Sequence, residues 1–143
     1  MIITKFMAFM IDIRKDNYMN ISEAASIHGL TPSTLRYYEK QGLLPPINRD
    51  ASGNRDYSVE DINWIGFVKC MRDSGLSVEA LARYTALYQM GDDTLVERKQ
   101  LLIFEYEKLR QKQQQINDTV FKLKGKINHY EANIQNYQAN VLQ

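Results

Sequence analysis

Thr31-Pro32-Ser33-Thr34-Leu35-Arg36-Tyr37-Tyr38-Glu39-Lys40-Gln41-Gly42-Leu43-Leu44 decides the fold of this chain. Thr31 is a helix N-cap residue, and Pro32 takes the first helical position, where its missing amide loses no hydrogen bond. Leu35 and Tyr38 lie three apart on one face, which suits a core, whereas Arg36 points toward solvent or a ligand. Gly42 and then Pro45-Pro46 end the helix. Upstream, Ser22 is expected to cap a short helix to about His28 with Ala24, Ala25 and Ile27 as its apolar side. Gly29 supplies the left-handed residue after it. Two helices joined by a glycine turn, the second displaying a guanidinium and phenols, make a helix-turn-helix able to enter a groove of duplex DNA.

Downstream, Ile47-Asn48-Arg49 and Asn54-Arg55-Asp56-Tyr57 read as a short extended pair. Asp50-Ala51-Ser52-Gly53 supplies the turn between them, giving a small hairpin wing. Ser58 with Asp61 three residues on forms a capping box. Ile62, Ile65, Val68 and Met71 then step along one helical face, broadened by Trp64 and Phe67. Gly75 ends that helix, and Ser77 caps another to about Leu87. The expected architecture is therefore mainly α: two helix-turn-helix units with a wing between them.

The last third has a different pattern. Thr94-Leu95-Val96-Glu97 reads as a capping box, and no proline follows. Leu95, Leu102, Leu109, Ile116, Leu123, Tyr130 and Tyr137 recur every seven residues. Lys99, Tyr106, Gln113, Val120, Ile127, Ile134 and Val141 form a second row four residues later. Twelve of these fourteen positions are apolar or aromatic, where the chain's 44% would give about six, so a coiled-coil helix is expected. Gly125 lies off both rows and permits a break without requiring one. A lone helix cannot hide such a stripe. Dimerisation through Leu95, Leu102, Tyr106, Leu109, Ile116, Val120 and Leu123 is the expected cover, folding back onto its own domain the alternative.

With 143 residues the chain has room for about one domain and an appendage. The expected division is an N-terminal extension over 1–18, mobile or a misassigned start, a DNA-binding domain over 19–91 and a dimer helix over 92–143. Net charge is +1, and Met19 to Gly91 holds seven Lys and Arg against eight Asp and Glu. DNA binding must then rest on a few placed cations, because the domain carries no general basic field. The single Cys70 excludes an internal disulfide framework and suits a reducing, cytoplasmic setting. No apolar run reaches the length of a membrane span. No phosphate-binding glycine loop, nucleophile motif or metal-ligand cluster is present, so neither an enzyme nor a cofactor is expected. His28 and His129 lack ligand company, and no metal site is expected.

Leu35-Arg36-Tyr37-Tyr38-Glu39, Gly42-Leu43-Leu44, Arg49, Gly53, Arg55, Tyr57, Arg72 and Gly75-Leu76-Ser77 follow one another in an order and spacing that resembles the MerR family of transcription regulators. The resemblance is close from Met19 to about Leu87 and general in the helix beyond. It implies a homodimer joined by an antiparallel coiled coil, bound to promoter DNA whose overlong spacer it bends and untwists for RNA polymerase. It implies DNA contacts from Ser33, Thr34, Arg36 and Tyr37 on the recognition helix, and from Arg49, Arg55 and Tyr57 at the wing. Arg55 and Arg36 have no obvious acidic helix partner, which favours contact. Tyr38 reads as core, and Tyr57 as core or contact.

Metal-sensing members carry cysteines that this chain lacks, and multidrug sensors add a ligand domain for which nothing after the coil serves. Trp64 through Ser77, with Cys70 inside Lys69-Cys70-Met71-Arg72, is instead similar to the aldehyde- and thiol-stress branch, the AdhR/NmlR-like regulators. That likeness implies Cys70 as the sensor, its thiolate favoured by Lys69 and Arg72. Residue chemistry alone leaves a buried, inert Cys70 open, and does not separate aldehyde addition from oxidation or nitrosylation. Two other readings share the sequence: a constitutive architectural or recombination-accessory DNA-bending protein, and an adaptor built on the coiled coil.

Overall fold

The computed structural model of the chain describes residues 18–142. The expected extension therefore lies, Tyr18 apart, outside the described residues. The chain divides into two compact units, 1–101 and 102–143. The first holds α1 (Ile21–Ile27), α2 (Pro32–Lys40), α3 (Val59–Asp73), α4 (Val78–Gln89), a 3-10 turn (Asp92–Thr94) and the first turns of α5 (Leu95–Val141). The mainly α architecture expected from the sequence is what forms.

Most helix starts follow their caps. Thr31 accepts from the Thr34 amide with Pro32 just inside α2. The Ser58–Asp61 capping box is complete, and Ser77 accepts from the Ala80 amide. The first helix differs from expectation, because Asn20 and not Ser22 caps α1, its Oδ1 accepting from the Glu23 amide at 2.9 Å. The physical cause is an antiparallel bridge between Met19 and Tyr57. It holds the chain extended up to Asn20, so the helix begins at Ile21, two residues earlier than a Ser22 cap would give, and Ser22 falls inside its first turn. The Thr94–Glu97 capping box does not form. The Thr94 hydroxyl is buried, 2.6 Å from the Leu87 carbonyl and 2.7 Å from that of Gly91, and it accepts from Arg98 Nε. That hydroxyl closes the turn between α4 and α5 instead of capping α5.

The core joins α1 to α4: Ala24, Ala25, Leu35, Tyr38, Leu43, Leu44, Tyr57, Ile62, Ile65, Val68, Leu76 and Leu81 form one buried cluster. Fully burying a leucine such as Leu35 contributes about 1.5–3 kcal/mol. Gly42, at φ +74° just after α2, takes a left-handed conformation that a β-carbon would strain. The chain can then turn sharply and bury Leu43 and Leu44. The Leu43 carbonyl accepts from both the Trp64 indole at 2.9 Å and the Thr85 hydroxyl at 3.0 Å. The segment after α2 is thus tied to α3 by the indole hydrogen bond and to α4 by the Thr85 hydroxyl, whose one proton is shared with the Leu81 carbonyl, also at 3.0 Å.

The second unit is the remainder of α5, continuous to Val141 and unbroken at Gly125. Leu102, Tyr106, Ile116, Val120 and Leu123 are exposed within the single chain, as is Leu95 at the helix start, while Leu109 is half-buried. No described helix is long and apolar enough to cross a membrane.

Candidate nucleic-acid interface

The N-terminal end of α2 and the segment between α2 and α3 present the polar groups that the sequence marks. Ser33 and Arg36 are exposed, and Thr34 is half-buried with its hydroxyl 3.0 Å from that of Thr31. Tyr37 is 46% exposed, whereas Tyr38 beside it is buried, its ring 6.3 Å from that of Tyr37. Three-apart spacing puts Leu35 and Tyr38 inside and leaves Arg36 and Tyr37 outside. Burial pushes the Tyr38 phenol above its ordinary pKa, with the Asp73 carboxylate adding to the shift.

The wing is shorter than a two-stranded hairpin. A single antiparallel bridge joins Arg49 and Arg55. Asp50 closes the turn by accepting from the amides of Ser52 at 2.9 Å and Asn54 at 3.0 Å. Gly53, at φ +81°, lets the chain reverse, and its carbonyl accepts from Arg49 Nη1 at 2.7 Å. The Met19–Tyr57 bridge adds a third extended segment that the sequence reading missed. Between α2, the start of α1 and the wing lies a cleft of about 540 Å³. Arg36, Arg49, Arg55, Asn20, Glu23 and Asp56 are among its lining residues. Three arginines from two different elements thus line one concavity together with acidic residues.

Two of the expected contact residues stand differently in the structure. Tyr57 is fully buried, and its hydroxyl finds no hydrogen-bond partner among the described residues. It is a core residue that pins the wing, and it cannot donate to a phosphate from that position. Burial raises its pKa most, and the Glu39 carboxylate raises it further. Arg55 does have an acidic partner: its Nε donates to Glu39 Oε2 at 2.5 Å, across from the wing to α2. The partner was hidden because the pair is sixteen residues apart and forms only when the wing folds over α2. Glu39 stood within the motif but carried no assigned role.

Cys70 lies on α3 and is exposed within the single chain. Its cationic neighbours are engaged elsewhere. Lys69 Nζ donates to Asp73 Oδ2 at 2.8 Å, and Arg72 Nη1 donates to the Leu76 carbonyl at 2.6 Å. The Asp73 hydrogen bond and charge chiefly raise the Lys69 pKa. Among the described residues no three His, Cys, Asp or Glu side chains gather as a metal site.

Comparison with known proteins places this geometry. The model for MerR HTH family regulatory proteins matches residues 19–87, the span that holds α1 to α4 and the wing. A solved structure assigned to the MerR family of transcriptional regulators, from Listeria monocytogenes, is 38% identical. It matches over 86% of this chain and 93% of its own length, with a TM-score of 0.83. The chain belongs to the MerR family. Among MerR-family relatives, the transcriptional regulator AdhR of Bacillus subtilis is 55% identical over 91 residues, 64% of this chain. The match spans just under two thirds, 65%, of AdhR's own length. The solved structure of HiNmlR, a MerR-family regulator lacking the sensor domain and bound to promoter DNA, is 29% identical. It covers 80% of this chain and 91% of its own, with a TM-score of 0.74. These MerR-family relatives are transcriptional regulators and not enzymes, as the absence of a catalytic constellation in the sequence suggested.

Proposed function

We propose that this MerR-family chain is a cytoplasmic, homodimeric regulator that binds promoter DNA and activates transcription by RNA polymerase in response to reactive aldehydes or thiol stress. The observation that carries the reading is the cleft where Arg36 of α2 and Arg49 of the wing face one concavity beside the exposed Tyr37. Guanidinium forks fit phosphate oxygens and guanine edges, and phenol hydroxyls donate to phosphate. Ser33, Thr34, Arg36, Tyr37 and Arg49 are the proposed DNA contacts. Likeness to HiNmlR, solved on promoter DNA, supports the same surface.

Dimerisation is proposed through Leu95, Leu102, Tyr106, Leu109, Ile116, Val120 and Leu123 as an antiparallel coiled coil. The exposed apolar rows along α5 support a partner helix, since apolar surface of that extent favours cover. The activated dimer distorts the promoter spacer, a deformation of a few kcal/mol that bound protein can drive. Cys70 is the proposed sensor, supported by its exposure on α3 and by the 55% identity to AdhR. Its sulfur adds to an aldehyde carbonyl, and a proton passes to the carbonyl oxygen.

The test is in vitro transcription from the promoter upstream of its own gene, with wild type and Cys70→Ala, with and without formaldehyde or methylglyoxal. Activation of the wild type alone is the expected result. Equal responses of both proteins would make Cys70 structural. Constitutive DNA bending without transcriptional effect would favour the architectural alternative.

A further inference from the structure

We propose that Arg55 and Glu39 act as one unit that sets the position of the wing relative to α2, and that Arg55 is a positioning residue instead of a phosphate contact. The inference rests on the DNA-binding reading above and names two residues that determine its specificity. Three observations carry it. First, Arg55 Nε donates to Glu39 Oε2, and the two side chains are only 25% and 29% exposed, so the pair is partly withdrawn from water. A charge-assisted hydrogen bond in that setting is directional and holds better than a fully solvated one. Second, Glu39 sits on α2 three residues after Arg36, the proposed base or phosphate reader, whereas Arg55 pairs across the wing with Arg49. The ion pair therefore joins the two elements that carry the two proposed DNA-contacting arginines. Third, Tyr57, two residues beyond Arg55 and on the same side of that extended segment, is buried in the core. Arg55 is thus anchored from below by packing and from the side by Glu39.

The wing's own ladder is short: one bridge, flanked by the Asp50–Asn54 and Asp56–Asn48 backbone hydrogen bonds and closed by the Asp50 turn. Such two-stranded pieces are marginal without added support, which here comes from the Met19–Tyr57 bridge and from Glu39. Arg36 and Arg49 line one cleft from separate elements, so the spacing of their guanidiniums depends on where the wing rests. A group already bonded to a carboxylate must give up that bond before it can take a phosphate, whereas Arg36 has no ion-pair partner among the described residues.

The experiment is a double-mutant cycle with the full chain: wild type, Glu39→Ala, Arg55→Ala and the double variant. Each is titrated by fluorescence anisotropy against a labelled duplex that the wild type selects from a randomised pool, and against a scrambled duplex of equal length. Removing a carboxylate near DNA should, by charge alone, tighten binding. The expected result is the opposite. Either single substitution lowers the preference for the selected duplex roughly tenfold, and the double variant loses no more, because one shared interaction is lost in all three. The salt dependence of Arg55→Ala on the selected duplex matches the wild type. Additive losses, or Glu39→Ala binding as well as or better than wild type, would overturn the proposal. So would a salt slope for Arg55→Ala flatter by about 0.9, the mark of one lost phosphate. A wild type that selects no sequence at all would overturn the DNA-binding reading itself. Melting curves of all four proteins identify any loss that comes from unfolding.

Discussion

Tyr57→Phe removes one oxygen from the core and nothing else. That oxygen is buried with no hydrogen-bond partner among the described residues, while the ring is fully enclosed. Leaving a hydroxyl unpaired in the interior costs about 1–3 kcal/mol relative to water, and the substitution lifts that cost while leaving a void smaller than a methyl group. The net expectation is a gain of about 1 kcal/mol, which raises the midpoint of melting by roughly 4–8 °C for a unit of this size. The alkaline limb should move with it. The buried phenol's pKa is raised above the ordinary tyrosine value near 10, first by desolvation and then by Glu39. A raised folded value favours the protonated form. Its stabilising effect is full below the unfolded pKa and is lost as pH rises through the folded one. Tyr57→Phe should therefore lose less stability than wild type as pH rises above about 10. Thermal melts by circular dichroism at one fixed protein concentration, at pH 7 and above pH 10, measure both effects. Specific DNA affinity should not change. A destabilisation of 1 kcal/mol or more, or a clear loss of DNA affinity, would refute the reasoning by showing that the hydroxyl has a partner after all.

Other substitutions address the remaining parts. Arg36→Ala should cost about 1–3 kcal/mol of specific binding; an unchanged footprint and affinity would remove α2 from its assigned role. Asn20→Ala should destabilise the first unit by about 1 kcal/mol, and Ser22→Ala by much less, as denaturant midpoints at constant slope would show. Replacing both Ile116 and Leu123 by Asp should shift the sedimenting species from twice 16.7 kDa to 16.7 kDa; a persisting dimer would place the interface elsewhere than on these rows.

The helices were legible because each helical signal is local. Caps at Thr31, Ser58 and Ser77, glycines after the helices and three-to-four spacing of apolar residues all act within a few residues. What the sequence hid depends on pairing across distance. The first cap is Asn20 and not Ser22, and Asn20 with Glu23 three residues on carries the local capping pattern; what the sequence hid is the Met19–Tyr57 bridge that leads into it. Thr94 looked like a cap because its neighbours fit the motif, but a turn from α4 brought two carbonyls to its hydroxyl first. Tyr57 illustrates the same limit. Its alternation with Asp56 is plain in sequence, but which side of that segment faces the core depends on what the wing rests against. The exposure of Cys70 was legible in principle, since it lies off the Ile62–Ile65–Val68 face of α3.

The near-neutral charge of the DNA-binding region sets a last expectation. From Met19 to Gly91 there are seven basic residues and eight acidic ones. Arg55 is paired with Glu39, Lys69 with Asp73 and Arg83 with Glu97, and Arg72 is spent on the Leu76 carbonyl. Arg36, Lys40 and Arg49 remain exposed and with no ion pair among the described residues, although Arg49 also donates to the Gly53 carbonyl. Three cations per protomer on two half-sites neutralise at most about six phosphates, which predicts a log–log salt slope of roughly −5 for the dimer on its site. Anisotropy titrations between 50 and 300 mM salt measure that slope directly. A value steeper than about −7 would mean that the paired arginines, or cations from α5, also reach the backbone. A value near −5 would mean that this domain grips DNA with few charges, so that shape and hydrogen bonding from Ser33, Thr34 and Tyr37 carry more of the affinity than Coulomb attraction does.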